Sequence, residues 1–125
     1  MKLRYKIKHE QFKEIVHVIN IFPYNEIDYI SHVDYINLKA FYIISINQNN
    51  RFEMFKRNTP NRIRALTIDL NHWNSICKLF FGAQNIISPY TLAIHRDMCK
   101  QLDSQIYIEY DKIKLSSIQI GKQSV

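Results

Sequence analysis

The sequence predicts a small α+β fold in a single domain spanning residues 1–125. The chain has 125 residues, of which 46% are apolar, so it can bury a core without disulfides or bound metals. Its opening segment, MKLRYKIK, alternates in polarity as strands do, whereas residues 60–81 carry apolar side chains at helical spacing. The two periods together predict strands and helices that share one core.

The first segment predicts a basic N-terminal strand. Leu3, Tyr5 and Ile7 alternate with cations, so the apolar side chains would face the core and the charges the solvent. Residues 9–22 change period and predict a helix, although their β-branched content leaves a strand as the alternative. The apolar stripe of that helix consists of Phe12, Ile15, Val16 and Ile19. Residues 25–38 are weakly helical.

The middle of the chain predicts a central β-hairpin followed by a helix. Two aromatic, β-rich runs, AFYIISI and RFEMFKR, flank the polar NQNN and together favour a hairpin over 40–57. Thr59 and Pro60 suit a helix start, and the apolar spacing then predicts a helix over about 60–81 that ends at Gly82. A competing interpretation makes RALTIDL a strand and begins the helix near Asn71.

The C-terminal part predicts a second helix and a second hairpin. Ser88 and Pro89 provide a cap and a first helical position, and the helix is predicted over about 89–102. QIYIEY and IKLSSIQI flank Asp111 and Lys112 and predict the hairpin. Helix, turn, helix and hairpin in this order resemble a winged helix-turn-helix, whose second helix would turn Arg96 and Lys100 toward nucleic acid.

The positive charge is concentrated in two short clusters. The net charge is +6; residues 1–8 contribute four cations and no acid, and residues 51–64 contribute five cations against Glu53. Clustered cations favour anionic partners, so we expect both clusters to share one face that holds phosphates. The predicted nucleic-acid-binding residues are Lys2, Arg4, Lys6, Lys8, Arg51, Lys56, Arg57, Arg62, Arg64, Arg96 and Lys100.

Two other interpretations of these segments stay open. Phe52 and Phe55 lie among the cations of the second cluster, where they could stack on unpaired bases or belong to the core. The lysines of the first strand could simply protect a sheet edge from pairing with another chain.

No pattern in the sequence predicts catalysis, a cofactor or a metal. Only two glycines are present, so a glycine-rich phosphate-binding loop is excluded, and no HExxH or CxxC motif occurs. His95 and Cys99 share a helical face, and Cys77 lies on the neighbouring helix. A zinc site would need a fourth ligand, and His72 lies about 140° around the helix from Cys77. We therefore expect these residues to belong to the core of a protein that is not an enzyme.

Composition also indicates location and partner. With two cysteines and neither an apolar leader nor a membrane span, the sequence predicts a cytoplasmic protein. Its 21 isoleucines and 11 asparagines are typical of A/T-rich genomes, including those of phages and mobile elements. The lead hypothesis is a nucleic-acid-binding protein. The alternative is an inhibitor or adaptor that binds a host nucleic-acid-handling protein, as anti-CRISPR proteins do. The third is a homo-oligomeric component of a virion or conjugation apparatus.

Overall fold

The computed structural model describes residues 1–22, 30–55 and 61–123, which form a mostly helical α+β fold. The elements in chain order are β1 (Lys2–Lys8), α1 (His9–Ile21), α2 (His32–Phe55), β2 (Ile63–Asp69), α3 (Leu70–Gly82) and α4 (Pro89–Gln123). Within the described residues, none of the helices combines the length and the apolar run that crossing a membrane requires.

The two strands form an antiparallel pair whose register determines which side chains are buried. Leu3 lies opposite Ile68, and Ile7 lies opposite Arg64. Side chains alternate between the faces of a strand, so Leu3, Tyr5 and Ile7 enter the core while the cations of β1 face outward. The predicted N-terminal strand is confirmed, as is the competing interpretation of RALTIDL as a strand.

The core lies between the inner face of this sheet and the helices. The predicted stripe of α1 is buried as expected, which confirms the helix over its strand alternative. α1 contacts α2, α4 and β1, whereas α2 packs mainly on α3. The largest fully buried side chains include Trp73 and Phe80 of α3 and Met98 and Leu102 of α4.

The predicted central hairpin is wrong, because residues 32–55 form the single helix α2. Its buried side chains recur at helical spacing, but some of them are polar. The hydrophobic pattern of the sequence therefore did not indicate a helix here. The buried stripe consists of Asp34, Leu38, Phe41, Ser45 and Asn49. The helix also begins with a capping box, in which Ser31 Oγ accepts from Asp34 N at 3.1 Å and Ser31 N donates to Asp34 Oδ2 at 3.3 Å.

The long helix predicted over 60–81 is also wrong at its start. β2 occupies Ile63–Asp69, and α3 begins at Leu70. The Asp69 side chain caps α3 by accepting from Asn71 N at 2.9 Å, and the helix ends at Gly82 as predicted. The cap and first position predicted at Thr59 and Pro60 lie outside the described residues.

The predicted C-terminal hairpin is wrong, because α4 begins at the predicted Ser88 cap and continues to Gln123. No glycine or proline occurs between residues 90 and 120, so nothing in the sequence forces a turn at Asp111 and Lys112. The hairpin that would serve as the wing is therefore helical, and the winged-helix arrangement is not confirmed.

Two glutamines of α4 cover the edge of β1 that does not pair with β2. Gln101 accepts from Lys6 N at 2.7 Å and donates to Lys6 O at 2.8 Å. Gln105 makes the same pair of bonds to Arg4, accepting from its N–H at 2.9 Å and donating to its carbonyl. The two amides thus take the place of a third strand at this edge, which would otherwise present unpaired backbone groups.

Replacing both glutamines by methionine should therefore destabilise the fold. Met keeps the length and the helix propensity of Gln but cannot bond the strand, so Gln101→Met with Gln105→Met should lower the free energy of unfolding by about 1–3 kcal/mol. Urea denaturation measures this change. The control is Gln84→Met in the exposed turn after α3, and an equal loss in that variant would contradict the bridging role.

Candidate nucleic-acid interface

The outer face of the sheet presents a single file of cations. This file occupies every second position of β1, is exposed at each of them, and consists of Lys2, Arg4, Lys6 and Lys8. Their side chains leave the strand about 6.6 Å apart, since a strand rises about 3.3 Å per residue. The neighbouring strip on β2 is exposed too and consists of Ile63, Ala65 and Thr67.

The charges of this file are available to a ligand. None of the four cations forms an ion pair within 4 Å with the described residues. Asp69 lies opposite Lys2 at one end. A hydrogen bond from Asn71 N lowers the pKa of Asp69, and the charge of Lys2 lowers it further. Asp97 lines the groove between α4 and the other end of the file.

The second predicted cluster joins this face only in part. Arg62 is exposed at the Lys8 end of the sheet, where its carbonyl accepts from His9 N at 2.9 Å. Arg51 is exposed on α2, about 200° around the helix from the buried Asn49, so it points away from the core that the sheet covers. Lys56 and Arg57 lie outside the described residues.

The two cations predicted on the C-terminal helix do not extend the file. Gln101 marks the side of α4 that faces β1. Arg96 lies about 140° from Gln101 around the helix axis, and Lys100 lies about 100° from it. Both are exposed, and Arg96 lines a cavity between α3 and α4. Arg96 and Lys100, which were predicted to assist the two clusters, therefore lie away from the side of α4 that faces β1.

The prediction that Arg64 belongs to the interface is wrong, because its side chain is buried in the core. It lies on the inner face of β2 and is only 7% exposed. Its guanidinium donates to Asn49 Oδ1 and lies 5.0 Å from the ring centre of Phe12 and 4.5 Å from that of Phe52. Burial lowers the pKa of Arg64, and the charge of Glu53 opposes that effect.

The contacts of Arg64 also determine which ring nitrogen of His9 carries the hydrogen. Arg64 Nη1 lies 3.1 Å from His9 Nδ1, and His9 Nε2 lies 3.2 Å from Glu53 Oε1. Arginine can only donate, so Nδ1 accepts and Nε2 donates to the carboxylate. The ring centre of Phe52 lies 4.4 Å from that of His9, so Phe52 packs against this group of side chains. Its predicted role in stacking on bases is not supported. The side chain of Phe55 lies outside the described residues.

The structure brings together three residues that the sequence assigned to the core. The ligand atoms of Cys77, His95 and Cys99 lie within 4.8 Å of one another in the cavity between α3 and α4. All three are half-buried rather than enclosed. Asp103 lines the same cavity. Sequence analysis missed it, although its position four residues after Cys99 places it one turn further along the same side of α4.

Comparisons with protein-family models, curated proteins and solved structures find no match for this chain. The function has to be inferred from the geometry.

Arg64 and Arg62 should respond differently to the same substitution. Arg64→Met removes charged hydrogen bonds and leaves Asn49 and His9 without a buried partner, so it should lower the free energy of unfolding by about 2–4 kcal/mol. Arg62→Met removes an exposed side chain and should change it by about 0.5 kcal/mol or less. Denaturant unfolding of both variants tests this difference, and similar losses would contradict the assignment of Arg64 to the core.

Proposed function

We propose that this protein binds nucleic acid through the outer face of its sheet, by contacts to phosphates. The observation that carries the proposal is the file of four exposed cations on β1, which form no ion pairs with the described residues. A regular row of cations follows a regular row of phosphates, and each phosphate that is neutralised releases counterions from the nucleic acid.

The surroundings of the file favour recognition of the backbone rather than of bases. The exposed strip on β2 offers Ile63, Ala65 and Thr67, none of which provides an aromatic ring for base stacking. A single row of cations on one strand also matches the single row of phosphates of an unpaired nucleic-acid strand, so binding does not require entry into a duplex groove. The proposal therefore concerns binding with little sequence preference and does not use a winged helix.

The proposal includes a cytoplasmic location and no catalytic step. The cytoplasm is reducing and contains nucleic acid, and Cys77 and Cys99 are free thiols that suit it.

The decisive experiment compares two variants with the same change in net charge. One carries Lys2→Gln, Arg4→Gln, Lys6→Gln and Lys8→Gln; the control carries Arg51→Gln, Arg96→Gln, Lys100→Gln and Lys112→Gln, all of them exposed. Fluorescence anisotropy with single-stranded and duplex DNA and RNA measures affinity from low to high salt. If all four cations bind phosphates, the magnitude of the negative slope of log K against log salt should decrease by about 3–4 in the first variant. In the control it should decrease by less than about 1.

Two results would contradict this proposal. One is the absence of binding by the wild-type protein to any of the four nucleic acids at low salt. The other is an equal loss in both variants, which would mean that net charge and not the β1 file governs binding. Circular dichroism establishes that both variants are folded before the comparison is made.

A second candidate function, protein binding, is favoured by the far half of α4. The helix has 35 residues and is therefore about 52 Å long. Among its side chains that the structure describes, which end at Lys114, the last fully buried one is Leu102. Beyond that residue it exposes Tyr107, Ile108, Tyr110 and Ile113 by 55–72%. Exposed aromatic and aliphatic side chains in one segment are typical of a protein interface, which would suit an inhibitor, an adaptor or a subunit of an assembly.

Protein binding would produce a defined complex that does not depend on nucleic acid. After nuclease treatment, we expect multi-angle light scattering to find a stoichiometric complex, either with a host protein or with a second copy. Tyr107→Lys with Ile113→Lys should abolish it because the new charges would be buried at the interface, whereas the β1 variant should retain it. A monomer that captures no protein, or a complex that persists in the α4 variant, would contradict this role.

A further inference from the structure

The cavity between α3 and α4 contains a group of side chains that neither proposed function uses. It has a volume of about 780 Å³, and one part of its wall carries Cys77 of α3 with His95 and Cys99 of α4. The rest of the lining includes the apolar Phe80, Phe81 and Leu92 together with two cations, Lys78 and Arg96. Two thiols and an imidazole at one point of such a wall are the donor types that soft and borderline metal ions prefer.

Helix geometry explains why these donors meet. His95 and Cys99 are separated by four residues, so they lie one turn apart on the same side of α4. Cys77 comes from the side of α3 that packs toward α4, between the fully buried Trp73 and Phe80. The two helices therefore both supply donors to the same part of the cavity wall.

The distances suit metal coordination after a small adjustment. Tetrahedral zinc with Zn–S bonds of about 2.3 Å and Zn–N bonds of about 2.0 Å places its ligand atoms roughly 3.5–3.8 Å apart. Cys99 Sγ lies 3.8 Å from each nitrogen of His95. All three ligand atoms lie within 4.8 Å of one another. Side-chain rotations that move these atoms by about 1 Å would bring them to the separations of a tetrahedral zinc site.

Neighbouring rings hold the imidazole in place. His95 stacks on Phe80 with ring centres 4.5 Å apart and planes inclined by 8°, and its centre lies 5.2 Å from that of Trp73. Stacking occupies the faces of the ring and leaves its nitrogens at the edge. Among the described residues, the hydrogen-bond partner of these nitrogens is the Cys99 thiol, a weak partner for a half-buried polar group.

Burial keeps all three donors uncharged in the metal-free protein, so ligation by the two thiols requires that they lose their protons. Burial lowers the pKa of His95 to about 4, so its imidazole is neutral near pH 7 and has a free lone pair. Burial also raises the pKa of both thiols, and the carboxylate of Asp103 raises it further. The thiols are therefore protonated in the metal-free protein, and a divalent ion that binds them would release two protons to solvent.

Asp103 provides a fourth group at the open side of the site. It lies one turn beyond Cys99 on the same side of α4, it lines the cavity, and it is exposed. Its carboxylate oxygens do not belong to the group of ligand atoms that lie within 4.8 Å of one another, so the side chain of Asp103 would have to turn toward the ion to ligate it. A carboxylate or a water in this position would complete four-coordination with two thiolates and one imidazole.

From this arrangement we propose that Cys77, His95 and Cys99 bind one zinc ion between α3 and α4, with Asp103 or a water at the fourth position. Thiolate and imidazole donors select zinc over the hard ions magnesium and calcium, which prefer oxygen. The bound ion would fix α3 against α4 and leave one coordination position facing the cavity. The site is separate from the cation file on β1, so the two proposals stand or fall independently.

Cobalt provides a direct probe of these ligands. The full-length protein, reduced with a phosphine and stripped of metal with a chelator, is titrated with Co²⁺ and then with Zn²⁺. We expect one equivalent of Co²⁺ to produce a near-ultraviolet thiolate-to-cobalt band and the visible bands of a tetrahedral site, and Zn²⁺ to remove both. Competition with a chromophoric chelator measures the affinity for Zn²⁺.

Matched variants assign the ligands. Cys77→Ser and Cys99→Ser should each weaken Zn²⁺ binding by about 100-fold or more, since loss of an outer-shell partner alone costs roughly 10- to 100-fold. Asp103→Asn should retain the thiolate band, change the visible bands and weaken binding by about 10-fold or less if water can replace the carboxylate. His72→Gln is the control, because this histidine lies on α3 outside the cluster.

The wild-type measurement decides the proposal even if a variant fails to fold. Zn²⁺ should raise the melting temperature of the wild type and of His72→Gln but not that of Cys77→Ser or Cys99→Ser. A fully reduced wild type without the thiolate-to-cobalt band would overturn the proposal. So would a double Cys77→Ser, Cys99→Ser variant that binds Zn²⁺ as tightly as the wild type.

Discussion

The pairing of β1 with β2 is the interaction on which the rest of the structure depends. With Leu3 opposite Ile68 and Ile7 opposite Arg64, one face of the pair enters the core and the other carries the cations outward. A shift of one residue would reverse both faces, exposing the apolar side chains and burying lysines. The buried guanidinium of Arg64 anchors this register, because its partners on α1 and α2 are available only in one position.

An isolated pair of strands is marginal in water, and here the helices support it. The inner face rests on the helices, and α4 covers the free edge of β1 with the amides of Gln101 and Gln105. The lysines need not protect that edge from a second chain, since side chains of the same molecule already bond it. The outer face is thus open to a partner, whereas the edge of β1 is already bonded.

Much of this arrangement could be predicted from the sequence, and the failures have physical causes. β1, α1 and the end of α3 follow from simple periodicity. α2 was missed because Asp34, Ser45 and Asn49 belong to its buried stripe, whereas hydrophobic patterns assume apolar stripes. Arg64 was predicted to be a surface cation because it lies in a stretch of sequence rich in cations. Strand alternation would have placed it with Leu66 and Ile68 on the inner face. The cysteine and histidine cluster depends on how α3 and α4 pack, which spacing alone does not determine.

A titration followed by nuclear magnetic resonance tests the central claim, that strand pairing creates an outer face that binds polyanions, most directly. A short single-stranded oligonucleotide would be added at low salt while backbone amides and lysine side chains are observed. The account predicts cross-strand contacts between residues 2–8 and 63–69, and shifts concentrated at the β1 cations and the exposed strip of β2. Shifts concentrated on α4, or none at any residue, would contradict it.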